Sequence, residues 1–83
     1  MAEKKFLPFI VLQILEELSD ESHILSTNEL IDHIERRSGI NIERRTLYSN
    51  IEILEQAGYI INKFADNGKG YYLEKRQFSK GEV

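Results

Sequence analysis

Residues 41–58 constrain the fold of this chain more than any other stretch. Within them Leu47, Ile51 and Leu54 follow one another at intervals of four and three residues. At about 100° per residue, these side chains lie on one narrow face of a helix, and that face must be buried. Arg45 lies nearly opposite. The stretch therefore predicts a helix with an apolar back and a polar front.

The polar front of this helix begins with guanidinium, hydroxyl and phenol groups. Such groups donate hydrogen bonds to phosphates and to base edges in the DNA major groove. We interpret residues 43–57 as a recognition helix, and its candidate DNA contacts are Arg44, Arg45, Thr46, Tyr48 and Ser49. An amphipathic helix with a merely solvated face would show the same pattern, so the helix alone leaves both interpretations open.

The candidate contacts differ in their expected roles. Arg45 is the first candidate for a base contact, because a guanidinium can donate twice to guanine O6 and N7. Arg44 lies about 60° from the buried face, so it is assigned either a phosphate contact or a packing role. Thr46, Tyr48 and Ser49 can donate to phosphates or base edges, and the alternative for Tyr48 is a place half in the core.

Size and composition exclude several classes of protein. The chain has 83 residues and no cysteine, so we expect one small domain without disulfides or a cysteine-based zinc site. No apolar run approaches the roughly 20 residues of a membrane span. Glu16 and Glu17 interrupt the only stretch that resembles a signal peptide, so a cytoplasmic protein is expected. Around His23 and His33 nothing has the spacing of a metal site, and no cofactor, metal or catalytic residue is predicted.

Charge is distributed unevenly along the chain. The net charge is −3, which by itself argues mildly against nucleic acid. Residues 1–35 hold two lysines and eight acidic residues, whereas residues 36–83 hold nine basic and six acidic residues. The basic half contains the candidate recognition helix, so the distribution weakly supports a side that faces DNA.

Two further helices are predicted ahead of the recognition helix. A dense apolar run with helical spacing predicts the first over residues 6–19, with Pro8 in its first turn. This helix is apolar on more than one face, so it either lies centrally in the core or packs partly on a second copy or another domain. Ser26 opens the next helix, because Glu29 completes a capping box with it. Gly39 is expected to end that helix.

The last third of the domain predicts a β-hairpin. Residues 59–64 are β-branched and aromatic, which is typical of a strand. Residues 65–70 form a turn rich in residues that tolerate positive φ, and residues 71–74 form the returning strand. Residues 24–25 are long enough only for a bridging strand. Because an isolated hairpin is marginal in water, this one should pack against the helices.

The order helix, short strand, helix, helix, hairpin predicts a winged helix-turn-helix. This is a mainly α fold with a small β-hairpin, in which three helices carry the wing at residues 59–74. Lys63 and Lys69 are placed on the wing to reach phosphates, or alternatively they only keep it soluble. Residues 1–74 are the predicted DNA-binding domain, and residues 75–83 are a tail or linker to a missing C-terminal domain.

Residues 25–30, 42–51 and 54–59 resemble the N-terminal winged helix-turn-helix of bacterial WYL-domain transcriptional regulators. Residues 68–73 are similar to the end of that family's wing, and residues 76–79 to the segment that leads into its linker. The most specific part is the Arg-Arg-Thr-Leu-Tyr start of the recognition helix. The resemblance implies a transcription factor that binds double-stranded DNA, often as a homodimer, and senses an effector ligand through a C-terminal domain missing here. PadR-like and other winged-helix regulators are alternative relatives.

Two positions depart from the family pattern. After Tyr48 the family commonly has Arg-Asp, where this chain has Ser49 and Asn50, so affinity and base preference do not carry over. Glu43 stands where a short cap such as Asp or Ser is common, and glutamate is a poorer N-cap. Asn41 is the alternative cap.

A second class of function fits the same sequence. Winged helices can bind proteins instead of DNA, and the acidic first half and apolar first helix would suit a protein partner. Salt separates the two functions, because DNA binding through several phosphates weakens steeply as salt rises and an apolar interface does not.

Overall fold

The computed structural model describes residues 4–74. A short 3₁₀ turn, Lys4–Phe6, leads into α1. The elements in chain order are α1 (Leu7–Leu18), α2 (Thr27–Ser38), α3 (Arg44–Gln56), β1 (Ile61–Asn62), α4 (Phe64–Asn67) and β2 (Tyr72–Leu73). The predicted fold class is confirmed, because three main helices carry a small two-stranded antiparallel sheet in a winged helix-turn-helix order. The predicted tail, residues 75–83, lies outside the described residues.

The core lies between the three main helices and the sheet. Its buried apolar members are Leu7, Val11, Leu12, Ile14, Leu15, Leu25, Leu30, Ile34, Ile42, Leu47, Ile51, Leu54, Ile61, Tyr71 and Leu73. Helix α1 contacts α2, α3 and β2, so it is the central helix that its apolar sequence predicts. Even so, Phe9 of α1 and Phe6, in the 3₁₀ turn just before it, are exposed. The predicted buried face of α3 is confirmed at all three positions.

Helix α2 begins and ends as predicted. The Glu29 amide donates to Ser26 Oγ at 3.1 Å, and the Ser26 amide donates to Glu29 Oε1 at 2.8 Å. This reciprocal pair is the capping box, and it satisfies two backbone donors that the first helical turn leaves free. Gly39 ends the helix with a φ of 76°, a left-handed conformation that glycine adopts without steric cost.

Helix α3 starts without a side-chain cap. Glu43 occupies the N-cap position and accepts no hydrogen bond from the first turn through its side chain. The alternative cap, Asn41, was predicted wrongly: its Nδ2 donates to Glu35 Oε1 at 3.1 Å, across the turn and towards α2. The first-turn N–H groups of α3 therefore receive no side-chain cap and can donate to solvent or to a ligand.

The sheet is shorter than the sequence predicts. Strands β1 and β2 pair antiparallel through only two positions each, and the predicted bridging strand pairs Leu25 with Tyr71. The strand predicted over residues 59–64 and the turn predicted over residues 65–70 are wrong in detail, because the helical turn α4 interrupts both. Asp66 accepts the Lys63 amide at 3.0 Å and closes this turn. Such side-chain bonds to nearby backbone compete with the ladder of a strand.

Asn67 organises the rest of the wing. Its Oδ1 accepts the amides of Lys69 at 2.6 Å and Gly70 at 2.9 Å, and its Nδ2 donates to the Gly70 carbonyl at 2.9 Å. One asparagine side chain thus satisfies three backbone groups, which lets the chain turn sharply back towards β2.

Ser19 connects the wing to the end of α1 by hydrogen bonds. Its buried hydroxyl donates to the Leu15 carbonyl at 2.6 Å and accepts the Leu73 amide at 3.1 Å. The sequence places Ser19 only at the end of a helix. Its second role depends on Leu73, which is far away in the chain, so no local pattern could reveal it.

Candidate nucleic-acid interface

The outward face of α3 carries the predicted contact residues. Arg44, Arg45 and Ser49 are exposed, Thr46 is half-buried, and Tyr48 is 46% exposed. Nearly half of Tyr48 is therefore open to a partner, and its ring also contacts buried Tyr71. All five side chains belong to the first half of the helix, which is the half that reads base edges when a recognition helix enters the major groove.

The four arginines within residues 4–74 divide into two groups. Arg36 and Arg37, in the last turn of α2, each form an ion pair with a carboxylate, at 3.0 Å and 2.6 Å respectively. Within residues 4–74, Arg44 and Arg45 form no ion pair. Two exposed guanidinium groups at a helix N-terminus repel each other and the helix dipole, so they do not stabilise the isolated domain. An anionic partner would supply the missing countercharge.

Two grooves flank the outward face of α3. The larger, of about 460 Å³, lies between α3 and the wing, and Arg45, Ser49 and Ala65 contribute to its walls. The smaller, of about 290 Å³, lies between the start of α3 and the start of α2. Tyr48 and Phe64 line both. The two grooves thus form one surface, with these aromatic side chains at its centre.

The smaller groove brings three elements together. It is lined by Thr27 and Asn28 from the first turn of α2, by Arg44 from α3 and by Lys69 from the wing. The capping box of Ser26 and Glu29 leaves the Thr27 and Asn28 amides without a side-chain cap, and Arg44 and Lys69 bring two cations beside them. Arg44 and Lys69, both predicted DNA contacts, are far apart in the sequence but lie on the same side of the molecule.

The two wing lysines have different surroundings. Lys63 Nζ lies 3.3 Å from Glu55 Oε2 of α3, and this pair spans one wall of the larger groove. Lys69 is exposed, and its ammonium group has no carboxylate partner in the part of the chain that the structure describes. Of the two predicted phosphate contacts, Lys69 has the charge available, whereas Glu55 already neutralises Lys63.

The larger groove also contains carboxylates. Glu52, exposed on α3, lines it beside Glu55. Carboxylates repel phosphates but can accept a hydrogen bond from cytosine N4 in the major groove. Within α3 these two carboxylates lie in the C-terminal half, whereas Arg44 and Arg45 lie in the first turn.

Tyr71 joins the surface to the core. It is only 5% exposed, and burial raises the pKa of its phenol. The rings of Tyr48 and Tyr71 are 6.5 Å apart between centroids, a distance at which aromatic pairs attract. Tyr71 therefore connects the wing to the segment before α2, through its backbone pairing with Leu25, and to α3, through its ring contact with Tyr48.

Sequence reasoning did not find Thr27, Asn28, Phe64 or Tyr71 as members of this surface. The capping box was a usable signal for the first two, because it fixes where α2 begins. Phe64 was assigned to a strand, where an aromatic residue is ordinary. Tyr71 depends on tertiary contacts that no local pattern encodes.

None of the described helices has the length and apolarity that a membrane crossing requires. Among residues 4–74, no group of three or more His, Asp or Glu side chains could hold a metal ion. Comparison with protein-family models, with curated proteins and with solved structures finds no match to this chain.

Proposed function

We propose that this chain is the double-stranded DNA-binding winged helix of a cytoplasmic transcriptional regulator, similar to those that precede WYL domains. Helix α3 enters the major groove, and the wing lies on the backbone or in the adjacent minor groove. Arg45 contacts a base edge, and Arg44, Lys69 and the first turn of α2 contact phosphates. Thr46, Tyr48 and Ser49 supply further donors.

One observation carries this proposal. Arg44 and Lys69, which form no ion pair within residues 4–74, share one groove with the N-terminus of α2, and Arg45 lies on the same outward face of α3. A phosphate backbone offers the anionic groups that this arrangement lacks. The resemblance of residues 44–48 to a recognition-helix start points in the same direction.

The salt dependence of binding tests the proposal. We expect fluorescence anisotropy of a labelled random-sequence duplex to report binding whose log affinity falls with log salt, with a slope between about −2 and −3. Lys69→Ala should reduce the magnitude of that slope by about 1, because one phosphate contact is lost. Lys69→Arg keeps the charge and should keep the slope. No binding at low salt by the folded chain would contradict the proposal.

A protein-binding role is the second candidate, and α1 favours it. Phe9 of α1 is 67% exposed, and Phe6, in the 3₁₀ turn just before α1, is 45% exposed. An apolar surface of this kind fits a protein partner or a second copy of the chain. Its complexes would survive salt that abolishes DNA binding, so the same salt series separates the two functions.

A further inference from the structure

Phe64 is a large apolar side chain placed among polar groups. It is the first residue of α4 and is 56% exposed. It lines both the groove that contains Arg45 and the groove that contains Arg44 and Lys69. It therefore lies beside the outward face of α3, near the middle of the proposed DNA-facing surface.

The fold itself does not require an aromatic ring at this position. The bonds that close α4 use the Phe64 carbonyl, which accepts the Gly68 amide at 2.7 Å, and the side chain of Asp66. The buried cluster is formed by other residues and does not include Phe64. A half-exposed phenyl ring is unfavourable in water, and covering it with an apolar group would release free energy.

The major groove of DNA presents one apolar group, the 5-methyl of thymine. A phenyl ring cannot hydrogen-bond to phosphates or to the polar base edges, so the methyl is the major-groove feature that it can recognise. On the protein surface, Phe64 lines a groove together with Arg45, Ser49 and Tyr48 of α3. If α3 enters the DNA major groove, Phe64 therefore faces the same DNA groove.

We propose that Phe64 is a specificity-determining residue, which packs against a thymine methyl next to the base pair contacted by Arg45. This inference rests on the proposed function, since it requires α3 to be in the major groove. It adds a preference for thymine at one position of the target site. That preference comes from α4, which lines the same groove as the front of α3, while the rest of the wing stays on the backbone or in the minor groove.

A methyl-deletion scan tests this inference. The duplex is one that the wild-type chain selects from a random-sequence pool, and each thymine in turn is replaced by deoxyuridine, which lacks only the methyl group. We expect one position at which the wild-type chain binds the deoxyuridine duplex about fourfold more weakly. Phe64→Ala should bind the thymine duplex more weakly and should show no further loss at that position. Phe64→Leu, which keeps an apolar side chain, should retain part of the thymine preference.

Phe9→Ala is the matched control, because it removes an exposed phenyl ring from α1, away from the grooves. It should keep both the affinity and the methyl dependence of the wild-type chain. If no thymine methyl matters to the wild-type chain, or if Phe64→Ala keeps the same methyl dependence, the inference is wrong. If the wild-type and Phe9→Ala chains bind no duplex at all, the proposed function fails, and this inference fails with it.

Discussion

Replacing Gly70 with alanine is expected to lower the free energy of unfolding by at least about 3 kcal/mol. The wing passes directly against the segment before α2 at this point. A methyl group on Gly70 would overlap the Leu25 carbonyl oxygen and come within 2.7 Å of the carbonyl carbon and 3.1 Å of Ser26 Cα. These are backbone atoms, which cannot move aside as the end of a flexible side chain can.

The overlap would separate two paired backbone segments. The Leu25 amide donates to the Tyr71 carbonyl at 2.9 Å, and the Tyr71 amide donates to the Leu25 carbonyl at 2.7 Å. Losing these bonds would also withdraw buried Tyr71 from the core. Because small domains have a total stability of only about 5–15 kcal/mol, we expect Gly70→Ala to leave a partly detached wing or a largely unfolded chain. Urea unfolding followed by circular dichroism measures the change.

Gly39→Ala and Gly68→Ala are matched controls. Both glycines have left-handed backbones, with φ of 76° and 74°, but a methyl group at either would meet nothing within 4 Å. Each should therefore lose only the roughly 1 kcal/mol of left-handed strain. If Gly70→Ala were no more destabilising than these two variants, the close docking of the wing would be contradicted.

The second large effect is expected at Arg45. On a duplex selected by the wild-type chain, Arg45→Ala should weaken binding by about 1–3 kcal/mol, or roughly 5- to 150-fold, and should relax the preference at one base pair. The physical reason is that a guanidinium donates two parallel hydrogen bonds to guanine, and alanine donates none. Anisotropy titrations against the selected duplex and against duplexes changed at single positions measure both effects.

Two comparison variants isolate the cause. Arg45→Lys keeps the charge but not the two-pronged donor, so it should keep the salt dependence and lose the base preference. Arg36→Ala removes an exposed arginine from α2, where it pairs with Asp32, and so changes the net charge equally without touching the proposed interface. If Arg36→Ala weakened binding as much as Arg45→Ala, net charge and not a base contact would explain the loss.

The helices could be read from the sequence because their signals are local. The spacing of Leu47, Ile51 and Leu54 defined the buried face of α3, and the reciprocal bonds of Ser26 and Glu29 defined the start of α2. The structure confirms both. A helix N-cap and a 3.6-residue period involve only neighbours in the chain, so the sequence contains all the information they need.

The wing was predicted less well because its shape comes from side chains that bind nearby backbone groups. Asp66 and Asn67 were recognised as turn formers, but not as the residues that close a helical turn and reverse the chain. The pairing of Lys63 with Glu55 and the position of Phe64 follow from that shape. The Lys63–Glu55 pair leaves Lys69 as the wing lysine available to a partner. It depends on the three-dimensional path of the wing, which local sequence patterns do not encode.

The most direct test of DNA recognition by α3 is an amide chemical-shift map of the ¹⁵N-labelled chain during titration with a selected duplex. We predict the largest changes at the first turn of α3, at Thr27 and Asn28, and at Lys69, with little change along the outer face of α1 around Phe9. Changes confined to α1, or none at low salt, would contradict recognition through α3 and would favour the protein-binding role.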